Sequence, residues 1–147
     1  MEWQSVREGH LIRFHHGDDV IAGLVDFARA HAIEGAWVNA LGAIAEPELG
    51  YYHLESKSYT RQVFAGEWEI TAIVGNLGRF EDGAPALHVH ATIGAPDFTT
   101  RGGHLFAGRA GATCEVFLRD LGRPLLRRKD EAIGLPLWAL EHGPGPA

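Results

Sequence analysis

Beyond Gly35 the chain offers no further long stretch with apolar residues at helical spacing. Its apolar residues fall into short segments bounded by Gly, Pro, Asp or Ser, at Leu49 to His53, Tyr59 to Phe64, Glu67 to Val74, Leu87 to Ile93 and Thr113 to Arg119. This is the punctuation of strands. Before Gly35, His10 to Phe14 reads as a strand, and His15-His16-Gly17-Asp18-Asp19 reads as a turn in which an aspartate can cap a helix. Val20, Ile21, Leu24, Val25, Phe27, Ala28 and His31 then recur at helical spacing, with Arg29 near the end that prefers positive charge and Gly35 closing the connection. Ala36 to Ile44 is apolar on nearly both parities, as a central strand covered on two faces would be. The expected class is α+β, with one mostly antiparallel central sheet and one main amphipathic helix.

A chain of 147 residues is long enough to bury a core without a disulfide or a structural metal. We expect one domain over residues 1–142 and a flexible tail over residues 143–147, Gly-Pro-Gly-Pro-Ala. Thirteen Lys and Arg against nineteen Asp and Glu leave a net charge of −6, which disfavours nucleic acid and anionic membranes as default partners. The single Cys114 excludes an internal disulfide framework. The opening Met1-Glu2-Trp3-Gln4-Ser5 lacks the basic and apolar regions of a secretory signal, and no apolar stretch approaches the ~20 residues of a membrane helix. The expected location is cytoplasmic.

The chemistry points to histidine, of which there are nine. In Leu87-His88-Val89-His90-Ala91-Thr92-Ile93, alternate residues share a face, so His88 and His90 stand side by side with α-carbons about 6.6 Å apart. That spacing permits chelation, and it equally suits a solvated polar face. In Arg101-Gly102-Gly103-His104-Leu105 the glycines let the backbone bend and aim a third imidazole from a turn or strand start, although a turn-capping histidine is the plainer alternative. Three neutral imidazoles with an open position match a catalytic-type zinc site, with iron, nickel, copper and manganese also compatible. Metal retention should then weaken as pH falls through ~6.5. Glu69 and Glu115 are candidates to orient an imidazole, to fill a metal position or to transfer a proton, whereas Glu67 reads as solvated. Glu67 and Glu69 take the parity opposite Trp68, Ile70, Ala72 and Val74.

Other patterns are weaker. No glutamate follows His88-Val89-His90 within a few residues, which removes most of the case for a cupin-like site. Gly75-Asn76-Leu77-Gly78 reads as a strand-ending turn, His15-His16 as an exposed pair, and Cys114 as a buried neighbour of Val116 and Leu118. Gly122-Arg123-Pro124 has the core of an AT-rich minor-groove hook, but Leu121 stands where a preceding arginine belongs, so a turn is the ordinary reading.

Five ordered matches make the chain resemble the plant and prokaryote conserved (PPC) domain family, a domain of unknown function also found in plant AT-hook nuclear proteins. They are Arg13 with Gly17-Asp18-Asp19-Val20; Ala36-Trp37-Val38-Asn39-Ala40-Leu41-Gly42-Ala43; Gly66-Glu67-Trp68-Glu69-Ile70 with Gly75-Asn76; Pro85-Ala86-Leu87-His88-Val89-His90; and Gly102-Gly103-His104-Leu105 with Gly108, Thr113 and Glu115. The resemblance implies a sheet-rich, sandwich-like fold that assembles as a homotrimer, with His88, His90 and His104 as the metal site of the prokaryotic members. It also implies that Gly66, Glu67, Trp68, Glu69, Ile70 and Thr71 form a protein-partner contact. No Arg-Gly-Arg-Pro hook precedes the matched region, so the family's DNA-binding label transfers poorly.

The leading functional expectation is a homotrimeric metal-binding module, holding a divalent transition metal such as zinc, with a regulatory or ligand-sensing role. The alternatives are a metal-dependent hydrolase or lyase acting on a small molecule, and a DNA-associated architectural protein without a hook.

Overall fold

The computed structural model describes residues 1–140; the tail expected at residues 143–147 lies outside the described residues. The strands are β1 (Glu2–Val6), β2 (Gly9–Phe14), β3 (Ala36–His53), β4 (Ser58–Val63), β5 (Glu67–Arg79), β6 (Pro85–Gly94), β7 (Thr100–Asp120), β8 (Arg127–Lys129) and β9 (Pro136–Trp138). The helix among the described residues is α1 (Val20–Ala30). Seven strands form one sheet in the order β1-β2-β7-β6-β5-β3-β4, and β8 with β9 forms a separate hairpin. Every named strand pair is antiparallel. The α+β expectation therefore holds. An additional β3–β7 pairing makes the ladder return on itself through β3, β5, β6 and β7.

The helix forms where its spacing predicts. Asp19 caps it by accepting from the Ala22 amide at 2.9 Å, and Arg29 lies in the last turn. Val20, Leu24, Phe27 and Ala28 are buried, each large side chain contributing roughly 1.5–3 kcal/mol by leaving water. Gly23 admits the ring of Phe14, since a Cβ there would stand 2.4 Å from Phe14 Cε1. The helix packs on β6 and β7. It stops earlier than Gly35 suggests, at His31, whose amide bonds back to Phe27 O before Ala32 turns at φ 53°.

The strands are longer than their apolar segments. Ala36 to Ile44 and Leu49 to His53 are one strand, bent where Glu46 takes φ 49° and the β3–β7 register shifts between Ala45 and Glu48. The expected cover on both faces of this strand is not found within the chain, because Trp37 is 38% and Leu41 58% exposed. Gly75-Asn76-Leu77-Gly78 is strand interior, not a turn. A Cβ at Gly75 would meet His88 O at 2.1 Å, and one at Gly78 would meet Leu125 O at 2.1 Å. These glycines mark close approach of neighbouring backbone. A register shift between Ile70 and Ala72 also switches the parity of β5, so Val74 is exposed while Ile70 and Ile73 are buried. β1 arises in a stretch without an expected strand, paired residue for residue with β2. Gly122, at φ 65° and with its amide on Asp120 Oδ1 at 2.8 Å, makes the ordinary turn expected there.

Gly75→Ala should destabilise the protein by roughly 1–3 kcal/mol, the usual cost of forcing extra bulk into packed structure. Gly102→Ala should be nearly neutral, since its Cβ would meet nothing closer than Ala91 O at 3.4 Å. Denaturant midpoints of the two variants check the contrast.

Candidate metal centre

Alternation along β6 buries Val89, Ala91 and Ile93 in the core and turns His88 and His90 to the other side of the sheet. β7 runs antiparallel beside it with His104 directly opposite His90. Gly103 makes this approach feasible on the β3 side, because a Cβ there would come within 2.7 Å of Gly50 O. Gly102 has no such demand. One ligand atom from each of His88, His90 and His104 lies within 4.8 Å of the others. His88 Nε2 and His90 Nε2 are 3.2 Å apart, and the ring centroids are separated by 5.2 Å for His88–His90, 5.2 Å for His88–His104 and 5.5 Å for His90–His104.

The surroundings oppose a charge on two of these rings, His88 and His104. Burial, and then the charges of Arg127 and His90, lower the His88 pKa from 6.5 to about 4. Burial, and then His88, His90, Arg61 and Arg127, lower that of His104 to about 4. His104 stacks near Phe106 at 4.5 Å and Tyr59 at 5.5 Å. Its Nδ1 is buried without a hydrogen-bond partner. A neutral imidazole keeps one nitrogen lone pair, and three such rings with a ligand atom each within 4.8 Å of the others suit a bound cation.

A second layer comes from places that sequence reading passed over. Asn76 on β5 faces His88 in register and is buried. Its Oδ1 accepts from Arg127 Nη2 at 2.6 Å and from Trp138 Nε1 at 3.2 Å, while Arg127 Nη2 also donates to His88 Nδ1 at 3.1 Å. Arg61 lies over the Phe106 ring at 3.7 Å and pairs with Glu48 at 2.9 Å. An Asn inside an otherwise apolar strand was the available signal for Asn76; Arg127 was hidden within a run of exposed charge.

The carboxylate candidates are not gathered at the cluster. Glu69 pairs with Gly94, about 13 Å along β6 from His90 at the usual strand rise. Glu115 lies towards the other end of β7, opposite Arg13 and Leu41. It lines an open groove of about 570 Å³ with Trp3, Leu11, Arg13, Leu41 and Phe117, remote from the histidines. In the Gly66–Thr71 segment, Gly66 turns at φ 79°, Trp68 donates to Ala65 O at 3.1 Å and packs on Phe64, and Ile70 is buried; Glu67, Glu69 and Thr71 are exposed. His15 and His16 bond to Glu2 and to Gly111 O, apart from the cluster. Cys114 is buried, its thiol pushed up to about 12 by burial and then Glu115, which suits a core residue and not a nucleophile.

Comparison with known proteins gives one family and several solved structures that share this chain's fold. The Plants and Prokaryotes Conserved (PCC) domain matches residues 1–122. A metal-containing protein from Archaeoglobus fulgidus is 33% identical over 95% of this chain and 97% of its own, with a TM-score of 0.83. A plant- and prokaryote-conserved (PPC) protein from Pyrococcus horikoshii is 28% identical over 95% and 96%, also with a TM-score of 0.83. A "Putative DNA-binding protein" from Ralstonia eutropha JMP134 is 26% identical over 95% and 96%, with a TM-score of 0.88. Among curated proteins, none matches the chain.

The depressed histidine values set a sign for stability. Between 6.5 and about 4 the unfolded chain binds protons at these positions that the folded chain refuses, so stability of metal-free protein falls as pH drops through that window. Denaturant midpoints at successive pH values should decline accordingly. The decline should be shallower in His104→Gln; an identical slope would show that His104 does not contribute.

Proposed function

Because the chain belongs to the Plants and Prokaryotes Conserved domain family, we propose that it is a homotrimeric protein that holds a divalent metal, most simply zinc, through His88, His90 and His104. The ion's open positions take up a ligand in a regulatory or sensing role within the cytoplasm. Residues 1–142 act as one domain in this reading. The observation that carries it is the convergence of three imidazoles from two paired strands, with one ligand atom of each within 4.8 Å of the others. The metal-containing Archaeoglobus relative, at 33% identity, supports it.

Bound there, a metal would supply Lewis acidity and a position for an exchangeable ligand. The protein's own residues do the rest. β6 and β7 set the spacing of the three rings, Arg127 and Asn76 hold His88, and Phe106 and Tyr59 exclude water from one side of His104. A ligand-binding role is preferred to hydrolysis because Glu69 and Glu115, the proton-transfer candidates, are placed away from the rings. The DNA-binding name of the Ralstonia relative is not carried over, since a net charge of −6 opposes a phosphate backbone.

The assembly proposal draws on the exposed apolar side chains Trp3, Leu11, Trp37 and Leu41, which a monomer would leave in water. Segment Gly66–Thr71 is proposed as a contact for a protein partner. No helix among the described residues is long and apolar enough to cross a membrane.

Protein purified without an affinity tag should carry a stoichiometric transition metal by elemental analysis. His104→Ala should lower metal affinity by more than the roughly 10–100-fold typical of losing an outer-shell partner, whereas His16→Ala should retain it; equal losses would remove the triad. Sedimentation should give the mass of a trimer, and Leu41→Glu should yield folded smaller species. A monomeric parent protein would end the assembly reading.

A further inference from the structure

The β8–β9 hairpin brings a guanidinium to the histidines from beyond residues 1–122, the part that matches the family. Arg127 is only 5% exposed, yet it forms no ion pair with a carboxylate among the described residues. Its hydrogen bonds go to neutral acceptors: Nη1 donates to Pro136 O at 2.7 Å, and Nη2 to Asn76 Oδ1 at 2.6 Å and His88 Nδ1 at 3.1 Å. Nε is buried and has no partner. Nε and Nη2 share one edge of the planar guanidinium, the edge that receives a carboxylate through two parallel hydrogen bonds. A buried cation with an unused donor on that edge calls for an anion.

Binding of an ion sharpens the demand. Arginine has no lone pair, so the hydrogen in its contact with His88 belongs to Arg127, and His88 Nδ1 accepts it. A neutral His88 then carries its own hydrogen on Nε2, the atom 3.2 Å from His90 Nε2. Holding an ion at Nε2 would require the ring hydrogen of His88 to sit on Nδ1 instead. Arg127 Nη2 would then face an N–H there and keep Asn76 Oδ1 as its acceptor. The guanidinium would be left with fewer acceptors than donors beside the ion, and the side chains gathered there among the described residues are histidines, with no carboxylate.

We propose that the ligand of this centre is a small organic carboxylate, anchored by the Nε–Nη2 edge of Arg127. The inference rests on the metal-binding reading and names the ligand class for it. An organic acid fits better than inorganic phosphate because Phe106 and Tyr59, 4.5 and 5.5 Å from the His104 ring, offer an apolar wall for carbon.

The test uses the full chain loaded with cobalt(II), titrated with acetate and separately with inorganic phosphate, and followed by the visible spectrum of the ion. Acetate should give a saturable spectral change. Measured at saturating cobalt, Arg127→Met should weaken acetate about tenfold or more, as loss of hydrogen bonds to a charged group does. Arg127→Lys keeps the charge and lacks the two-pronged edge, so it should weaken acetate similarly, and it serves where the methionine variant does not fold. Parent affinity for acetate in either folded variant would overturn the proposal. So would a loaded parent protein that ignores acetate, or one that answers only to phosphate. Failure to take up cobalt at all would instead overturn the metal reading, and this inference with it.

Discussion

The antiparallel register that sets His90 opposite His104 is the constraint on which the site depends. Side chains on paired strands alternate faces, so a slip of one residue would carry His104 to the core side and split the cluster. Several features fix the register. Val89, Ala91 and Ile93 are buried on the core side of β6, and Leu105 is buried beside His104 on β7. Gly103 permits the close passage of Gly50 on β3, and Gly75 permits that of His88 O from β6. The histidine cluster thus inherits its precision from core burial and backbone contact, with α1 covering the opposite side of the same two strands.

What could be read from the sequence was what alternation or helical spacing encodes locally. The pairing of His88 with His90 on one face follows from a period of two, and α1 with its Asp19 cap follows from a period of 3.6 and an aspartate before it. Glycine carried the ambiguity. At Gly75 and Gly78 it signals a neighbouring backbone too near for a Cβ, which in one dimension looks the same as a turn. The parity of β5 was lost for a related reason, because the irregularity between Ile70 and Ala72 leaves no residue type that announces it. Arg127 was illegible because its burial depends on the hairpin folding back over Asn76, a contact between residues far apart in the chain.

The sheet also divides labour between its ends. The histidines gather where β6 meets the first part of β7, whereas the groove of Trp3, Leu11 and Leu41 lies by β1, β2 and the later part of β7. A strand of 21 residues such as β7 can serve both because its pairing partner changes along its length, from β6 to β3 and β2. Leu41, though apolar, is 58% exposed while Val38 is fully buried because the two stand three residues apart and take opposite faces of β3.

The electrostatics of the cluster disfavour a proton on two of its three rings. Burial and nearby guanidinium charge oppose protonation of His88 and His104, yet both effects leave the imidazole lone pairs intact. A proton would satisfy one nitrogen and add a charge beside Arg127, whereas a divalent ion can draw on three lone pairs at once and gain coordination energy against the same repulsion. Among the described residues the clustered ligand set contains no carboxylate. A nearby aspartate or glutamate would neutralise the charge in advance and favour imidazolium, giving a salt-bridged sheet surface.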